Sequence, residues 1–331
     1  MSGGVGGVTR CQFSHSPILP LPHSPIPPFL WHTCAMSWLL RGKSEKITVR
    51  SAVPTDRPAL ALLLAHTWRR HGIMAVEEQV ALLSNGLSAM AFSGDDAVAF
   101  MGLSPRSPAG VPPEHWVDIS LIAVASDRPA AGVLRRLCET AIDGLRKHGS
   151  TGLVCLANEA WLVENLPDAG FREIDQVLSY ARPNRGPLPG AQVVCELRPA
   201  GSAEAETVLD LNAAAFEPIW HYDDRTVLSW LLTSDHAVLA EQAGQPLGFA
   251  LTTLNSVSGY AQLIRVATHP NGRRRGTGRQ LVIDAIRYAW EVGATGLSLN
   301  TQASNTVSRH LYEDLDFQPT GGALSVLAYR I

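Results

Sequence analysis

Two stretches of the chain, residues 46–182 and 193–331, carry the same succession of strand-like and helix-like segments. The first opens with a strand, Ile47-Thr48-Val49-Arg50, and Pro54-Thr55-Asp56 then starts a helix carrying Leu60, Leu63, Leu64 and Trp68. A short helix at Val76–Leu83 and strands at Ala97–Leu103 and Trp116–Ala125 follow. The next helix shows a 3.6-residue stripe of Leu134, Leu137, Cys138, Ala141, Ile142 and Leu145, with Arg135, Arg136, Glu139 and Arg146 on the other face. A buried strand, Gly152–Leu156, precedes a short helix ending at Asp168-Ala169-Gly170-Phe171. The second stretch repeats the order: strand Val194–Arg198, helix Ser202–Ala215 with Ser202 as N-cap, short helix Thr226–Leu232, then strands His236–Ala240, Leu247–Leu254 and Tyr260–Thr268. It continues with a long helix Gly276–Val292, strand Thr295–Thr301, helix Ser304–Leu315 and closing strand Ala323–Arg330. Arg50-Ser51-Ala52 matches Arg198-Pro199-Ala200, Arg128 matches Arg273, and Gly170-Phe171 matches Asp316-Phe317, all roughly 145–148 residues apart. So constant a spacing implies a duplicated domain.

Proline and glycine mark the joints. Pro183-Asn184-Arg185-Gly186-Pro187-Leu188-Pro189-Gly190 reads as a linker, placed at 183–192. Residues 1–45 form a proline-rich leader too broken for a helix or central strand and expected to be disordered, with translation expected to start near Met36. Five cysteines, Cys11, Cys34, Cys138, Cys155 and Cys195, show no metal-type pairing. Cys138 falls on a helix stripe, and Cys155 and Cys195 fall in strands, where they read as small apolar residues. No apolar run approaches the ~18 residues that cross a bilayer. A cytoplasmic protein with no metal and no membrane partner is expected. A net charge of −3 argues against broad capture of nucleic acid.

The densest chemistry lies in Val266-Ala267-Thr268-His269-Pro270-Asn271-Gly272-Arg273-Arg274-Arg275-Gly276-Thr277-Gly278-Arg279. A strand runs into a basic, glycine-containing turn that opens a long helix. Free amides and the positive helix end favour an anion there, and arginines add charge-assisted bonds to phosphate. Three arginines on one turn make a phosphate site rather than an extended nucleic-acid track.

This segment resembles the acetyl-CoA signature of the GNAT superfamily, (Gln/Arg)-x-x-Gly-x-(Gly/Ala) between a strand and a helix, in Arg273-x-x-Gly276-x-Gly278. The family's second motif, Asn followed by a short helix and Tyr-x-x-x-Gly-Phe, is matched by Asn305 through Tyr312-Glu313-Asp314-Leu315-Asp316-Phe317. Asp316 replaces the usual glycine at a position wanting left-handed backbone, which Asp tolerates. The resemblance implies an α/β (α+β) fold of two tandem GNAT-like domains, each a mixed, mostly antiparallel sheet flanked by helices. It implies an acetyl-CoA-dependent N-acetyltransferase acting on a small-molecule amine, with oligomeric state left open. By the same resemblance Val266, Ala267 and Thr268 hold the pantetheine arm, and Arg273, Arg274, Arg275, Gly276, Thr277, Gly278 and Arg279 hold the pyrophosphate. Asn305 contacts the cofactor or serves only as an N-cap, and Tyr312 protonates the leaving thiolate.

The general base is less marked. The strand position where some members carry glutamate is Gln262, and the alternatives His221, Asp223 and Asp224 lie in the segment Trp220–Asp224. The first copy reads Arg128-Pro129-Ala130-Ala131-Gly132-Val133, with its glycine pair lost and no tyrosine matching Tyr312. It is expected to bind CoA weakly or not at all. A non-catalytic acyl-CoA binder or scaffold is the alternative to the enzyme.

Overall fold

A computed structural model describes residues 46–331 apart from 73–74, 107–113, 186 and 191. The leader, with Cys11, Cys34 and Met36, lies outside the described residues. The first copy contributes β1 (Ile47–Ser51), α1 (Arg57–His66), β2 (Arg70–His71), α2 (Val76–Ser84), β3 (Ala89–Ser93), β4 (Asp96–Pro105) and β5 (Trp116–Val124). It continues with α3 (Ala130–Lys147), β6 (Gly152–Ala157), α4 (Ala160–Asn165) and β7 (Arg172–Pro183). The second contributes β8 (Glu196–Pro199), α5 (Ala205–Ala215), α6 (Asp224–Thr233), β9 (His236–Gln242), β10 (Gln245–Leu254) and β11 (Ala261–Thr268). Then come α7 (Thr277–Glu291), β12 (Gly296–Gln302), α8 (Thr306–Glu313) and β13 (Gln318–Arg330). No described helix is long and apolar enough to cross a membrane.

The helix stripes read from the sequence face inward. Leu134, Leu137, Cys138, Ala141, Ile142 and Leu145 of α3 are all buried in the first core. Leu281, Val282, Ala285, Ile286 and Ala289 of α7 fill the second. Two local readings are corrected. Ser202 starts a single 3-10 turn rather than capping a helix, and the Gly201 amide is bonded instead by the Glu204 carboxylate at 2.8 Å. Cys195 precedes β8 rather than lying in a strand. There the buried Gln280 carboxamide takes the place of a strand neighbour, accepting from the amides of Val194 (2.9 Å) and Cys195 (3.2 Å) and donating to the Cys195 carbonyl (2.9 Å).

All the strands join one mixed sheet in the order β1-β3-β4-β5-β6-β13-β7-β12-β11-β10-β9-β8, with β2 paired to β5. The two copies exchange their last strands. β13, from the second copy, pairs antiparallel with β6 of the first, and β7, from the first, pairs antiparallel with β12 of the second. β7 and β13 also pair with each other, which welds the halves into one sheet. Each core therefore holds a residue from the other copy: Leu327 of β13 in the first, Tyr180 of β7 in the second.

Because Leu327 is 1% exposed among first-copy residues, Leu327→Ala is expected to cost about 2–5 kcal/mol. The whole chain should then melt at lower denaturant in one transition. Two separated transitions, only one of them shifted, would show that the exchanged strands do not couple the halves.

Candidate functional site

β11 and β12 run parallel but pair only at Ala261↔Leu297, Gln262↔Ser298 and Leu263↔Leu299, and then diverge. Just beyond the last rung β11 carries a bulge. Thr252 pairs with Leu263 and Leu251 with Arg265, leaving Ile264 as the extra residue. The diverging strands enclose a cleft of about 80 Å³ whose lining includes Ile264, Arg265 and Val266 from one side and Asn300, Thr301 and Gln302 from the other. Asn305, Ser308 and Tyr312 line it from the α8 side, and Phe216 also lines it. On the β12-facing edge of β11, the backbone past Leu263 has no strand partner, so an extended chain can bond there as a strand would.

At the far end of β11 the basic turn takes the shape of an anion seat. Arg274 (φ +59°) and Gly276 (φ +92°) both adopt left-handed backbone, which alternates the direction of successive amides. The amides of Arg274, Arg275, Gly276, Thr277 and Gly278 donate to no acceptor among the described residues. The side chains of Arg274, Arg275 and Arg279 are exposed and have no ion pair or hydrogen bond among the described residues. Arg273 differs, because its guanidinium folds back to the Ala215 carbonyl at 2.8 Å and helps tie the turn to the end of α5. At Gly278 the packing is tight, since a Cβ would stand 3.1 Å from Thr268 Oγ1 and 3.9 Å from Leu311 Cδ2. At Gly276 an added Cβ would meet Val194 at 3.4 Å, an ordinary contact, so its φ is the constraint.

Tyr312 is 4% exposed and lines the cleft, packed against Tyr180 and Phe317 with ring centroids 6.4 and 5.9 Å away. Burial pushes its phenol up to about 12, so it remains a neutral donor through the physiological range. Asn305 is the N-cap of α8, its Oδ1 accepting from the Ser308 amide at 3.2 Å, and it also lines the cleft. Asp316 has φ +66°, the left-handed backbone expected of it.

Val266 lines the cleft, while Ala267 (3% exposed) and Thr268 lead from it to the turn. His221 does not line the cleft. It is 8% exposed, and its Nε2 is held 2.9 Å from the Phe216 carbonyl oxygen of its own loop. Asp223 N-caps α6 by accepting from the Thr226 amide, and Gln262 lies within the paired part of β11. Among the described residues no group of His, Cys, Asp and Glu could hold a metal ion.

Several residues at the site were not singled out in the sequence. The guanidinium of Arg265 stacks 3.7 Å from the centre of the Phe216 ring and bonds Asn212 Oδ1 and the Trp220 carbonyl. Burial, with Arg106 as a like charge, pulls it down to about 10, which still leaves it charged at neutral pH. Its sequence signal was a lone arginine within Leu263-Ile264-Arg265-Val266-Ala267. From the exchanged strand, Ser179 Oγ donates to Asn300 Oδ1 at 2.8 Å, so a first-copy residue orients a side chain in the second copy's cleft.

The equivalent cleft in the first copy is filled by the chain itself. β5 and β6 pair at Trp116↔Gly152 through Asp118↔Val154 and then part. Into that gap comes β2, pairing Arg70↔Ala123 and His71↔Ile122 while β4 covers the other edge of the same residues. The Val124 amide donates to the Arg69 carbonyl at 2.9 Å. A Cβ at Gly72 would run into the Ser120 carbonyl oxygen, so the plug lies flush with the strand. His71 Nδ1 meets Glu159 Oε2 at 2.9 Å across the gap. The first copy's turn is likewise closed to an anion, with Pro129 before α3 and Val133 2% exposed where Gly278 stands in the second.

With this geometry the comparisons agree. Residues 205–317 match the model of the acetyltransferase (GNAT) family. The match covers part of the second copy, and the GNAT-like fold is present in tandem. It resembles a GCN5-related N-acetyltransferase from Sphaerobacter thermophilus (17% identity, 86% of this chain and 95% of that one, TM-score 0.55). It also resembles one from Kribbella flavida (16% identity, 86% and 71%, TM-score 0.62). A tandem GNAT protein from the clavulanic acid biosynthesis pathway matches at 16% identity over 86% and 98%, with TM-score 0.54. At these identities the structural matches speak for the fold alone. No curated protein matches the sequence.

Two expectations follow from the contrast between copies. Gly276→Ala should cost about 1–2 kcal/mol in denaturant unfolding, because a Cβ is forced into left-handed backbone. Gly132→Ala, in helix with nothing within 4 Å of the added carbon, should gain about 0.5–1 kcal/mol. Equal effects would remove the backbone distinction between the turns. For the plug, burial alone lowers His71, but Cys155 and Glu159 outweigh it and raise the imidazole to about 10. That proton therefore stabilises the fold fully below the unfolded histidine value of about 6.5, and its contribution is lost as pH rises toward 10. The stability gap between the native protein and His71→Gln should shrink over that range; a gap that stays level up to pH 10 would mean His71 is held neutral.

Proposed function

We propose that the chain is an acetyl-CoA-dependent N-acetyltransferase whose working site is the second copy and whose acceptor is a small-molecule amine. The observation that carries this reading is the conjunction of an open strand cleft, an amide-lined basic turn at one end and a buried neutral phenol in its wall. The pyrophosphate of CoA would lie on the amides of Arg274–Gly278, with Arg274, Arg275 and Arg279 adding charge. The pantetheine arm would run along Val266–Thr268 as a pseudo-strand, bringing the thioester toward Tyr312. The acceptor amine attacks the thioester carbonyl carbon, an N–C bond forms and the C–S bond breaks. Tyr312 gives its proton to the departing sulfur and recovers one as the amine loses its own. No acidic side chain and no imidazole is among the residues lining the cleft, so in this reading the amine enters neutral, its excess proton lost to water. The first copy, its slot taken by residues 69–72, serves as scaffold.

Gln262, where some family members carry glutamate, favours the second reading of a binder without turnover. One experiment separates them. Calorimetric titration with acetyl-CoA should give one site per chain, lost in Gly276→Val. Tyr312→Phe should keep that affinity while lowering turnover about 10²-fold or more. An intact titration with no turnover on any amine would favour the binder, two sites would contradict the plugged slot, and no binding would sink both.

A further inference from the structure

Among the described residues, Arg265 is the only charged one lining the second copy's cleft, and no acid there balances it. Among the described residues it has no carboxylate partner. Nε and Nη2 bond neutral acceptors, Asn212 Oδ1 at 3.0 and 2.8 Å and the Trp220 carbonyl at 2.7 Å, while Nη1 has none. Its neighbours make matters worse for the charge. Arg106, 2% exposed, reaches across from the first copy to bond the Ile219 carbonyl, and both guanidinium groups flank the Tyr222 ring, at 5.2 and 5.0 Å. The nearby acid is already spent, since Asp118 pairs with Arg106 Nε at 3.1 Å. Asp118 thus serves Arg106, and half-buried Arg265 is left with neutral acceptors and aromatic faces. A half-buried cation whose partners are all neutral leaves one donor edge free for an anionic group. The cluster is also stiff: Phe216 and Tyr222 stack on Arg265 and Asn212 fixes its fork, so the planar donor is oriented before anything binds.

We propose that the acceptor is an amino carboxylate, an amino acid or a small amine bearing a carboxylate, whose acid group binds the free edge of Arg265. This rests on the transferase reading and gives it a substrate class. The same charge pattern disfavours polycationic acceptors, which would meet Arg265 and find no acid in the lining. The balance of the step is unchanged: the amine nitrogen takes the acetyl group, CoA leaves as the thiol, and the product is an N-acetyl amino carboxylate.

The test uses the full chain with L-amino acids, each beside its carboxamide and its decarboxylated amine, following thiol release from acetyl-CoA. At least one acid should be turned over, with kcat/KM about tenfold or more above its neutral analogues. Arg265→Gln should erase that preference by raising KM for the acid, with acetyl-CoA affinity unchanged, and Arg265→Lys should restore part of it. Three results would overturn the proposal. The neutral analogues could serve as well as the acids, the preference could survive Arg265→Gln, or Arg265→Gln could slow acid and amide equally, which would place Arg265 on the thioester instead. A panel in which no acid is turned over would also overturn it. Failure of acetyl-CoA to bind is a separate outcome that sinks the transferase reading. The carboxylate seat is then judged by calorimetry with N-acetyl-L-amino acids, whose failure to bind in an Arg265-dependent way rejects it too.

Discussion

The antiparallel pairing of β7 with β13 is the interaction on which the rest depends. Each of these strands fills the gap left by the other in its neighbour's sheet, so neither copy has a complete sheet of its own. Strand edges carry unpaired backbone groups, and burying them by exchange satisfies both halves at once. Function inherits the arrangement. Tyr180, contributed by β7, packs against Tyr312, and its hydroxyl bonds Glu313 and Arg309 of α8 at 3.2 Å each. The wall of the second cleft is thus braced by a strand that the chain places in its first copy.

The two copies show what distinguishes a working cleft from a filled one when the fold is common to both. Parting of the parallel strands occurs in each. In one, left-handed residues turn amides outward and the gap stays open. In the other, proline and valine close the turn, and two residues of the chain's own backbone occupy the unpaired edge. A strand partner supplied in cis meets the same hydrogen-bonding need that an extended ligand would meet, at no cost in lost translational freedom. Only displacement of that segment would let a ligand in.

Much of this was legible in the sequence, and for identifiable reasons. The duplication showed because burial imposes a helix stripe on α3 and again on α7. The turn at Arg273–Gly278 showed because few residue types tolerate that backbone, and Asp316 was read correctly for the same cause. What escaped was relational. Alternation in a strand says which residues face a core but not whose core, so the crossing of β7 and β13 carried no signal. The plug is two residues long, shorter than any period. Ser202 looked like a cap because its type suits one, yet it sits inside a 3-10 turn whose leading amide, Gly201, is held by the Glu204 carboxylate. Arg265 was visible as an odd charge in an apolar strand, but only the absence of a neighbouring acid gives it meaning, and that is a property of three dimensions.

The strand exchange also has a consequence for how the protein is made. β6 emerges from the ribosome some 160 residues before β13, its antiparallel partner, has been translated. At ordinary elongation rates of about 5–20 residues per second, the growing chain spends roughly 8–30 seconds with that edge open. An unpartnered edge beside an apolar face is the usual template for wrong pairing, including with the same edge on a neighbouring nascent chain. Closure of the first sheet therefore waits for β13, and the interval before it is when the exposed β6 edge most needs a chaperone.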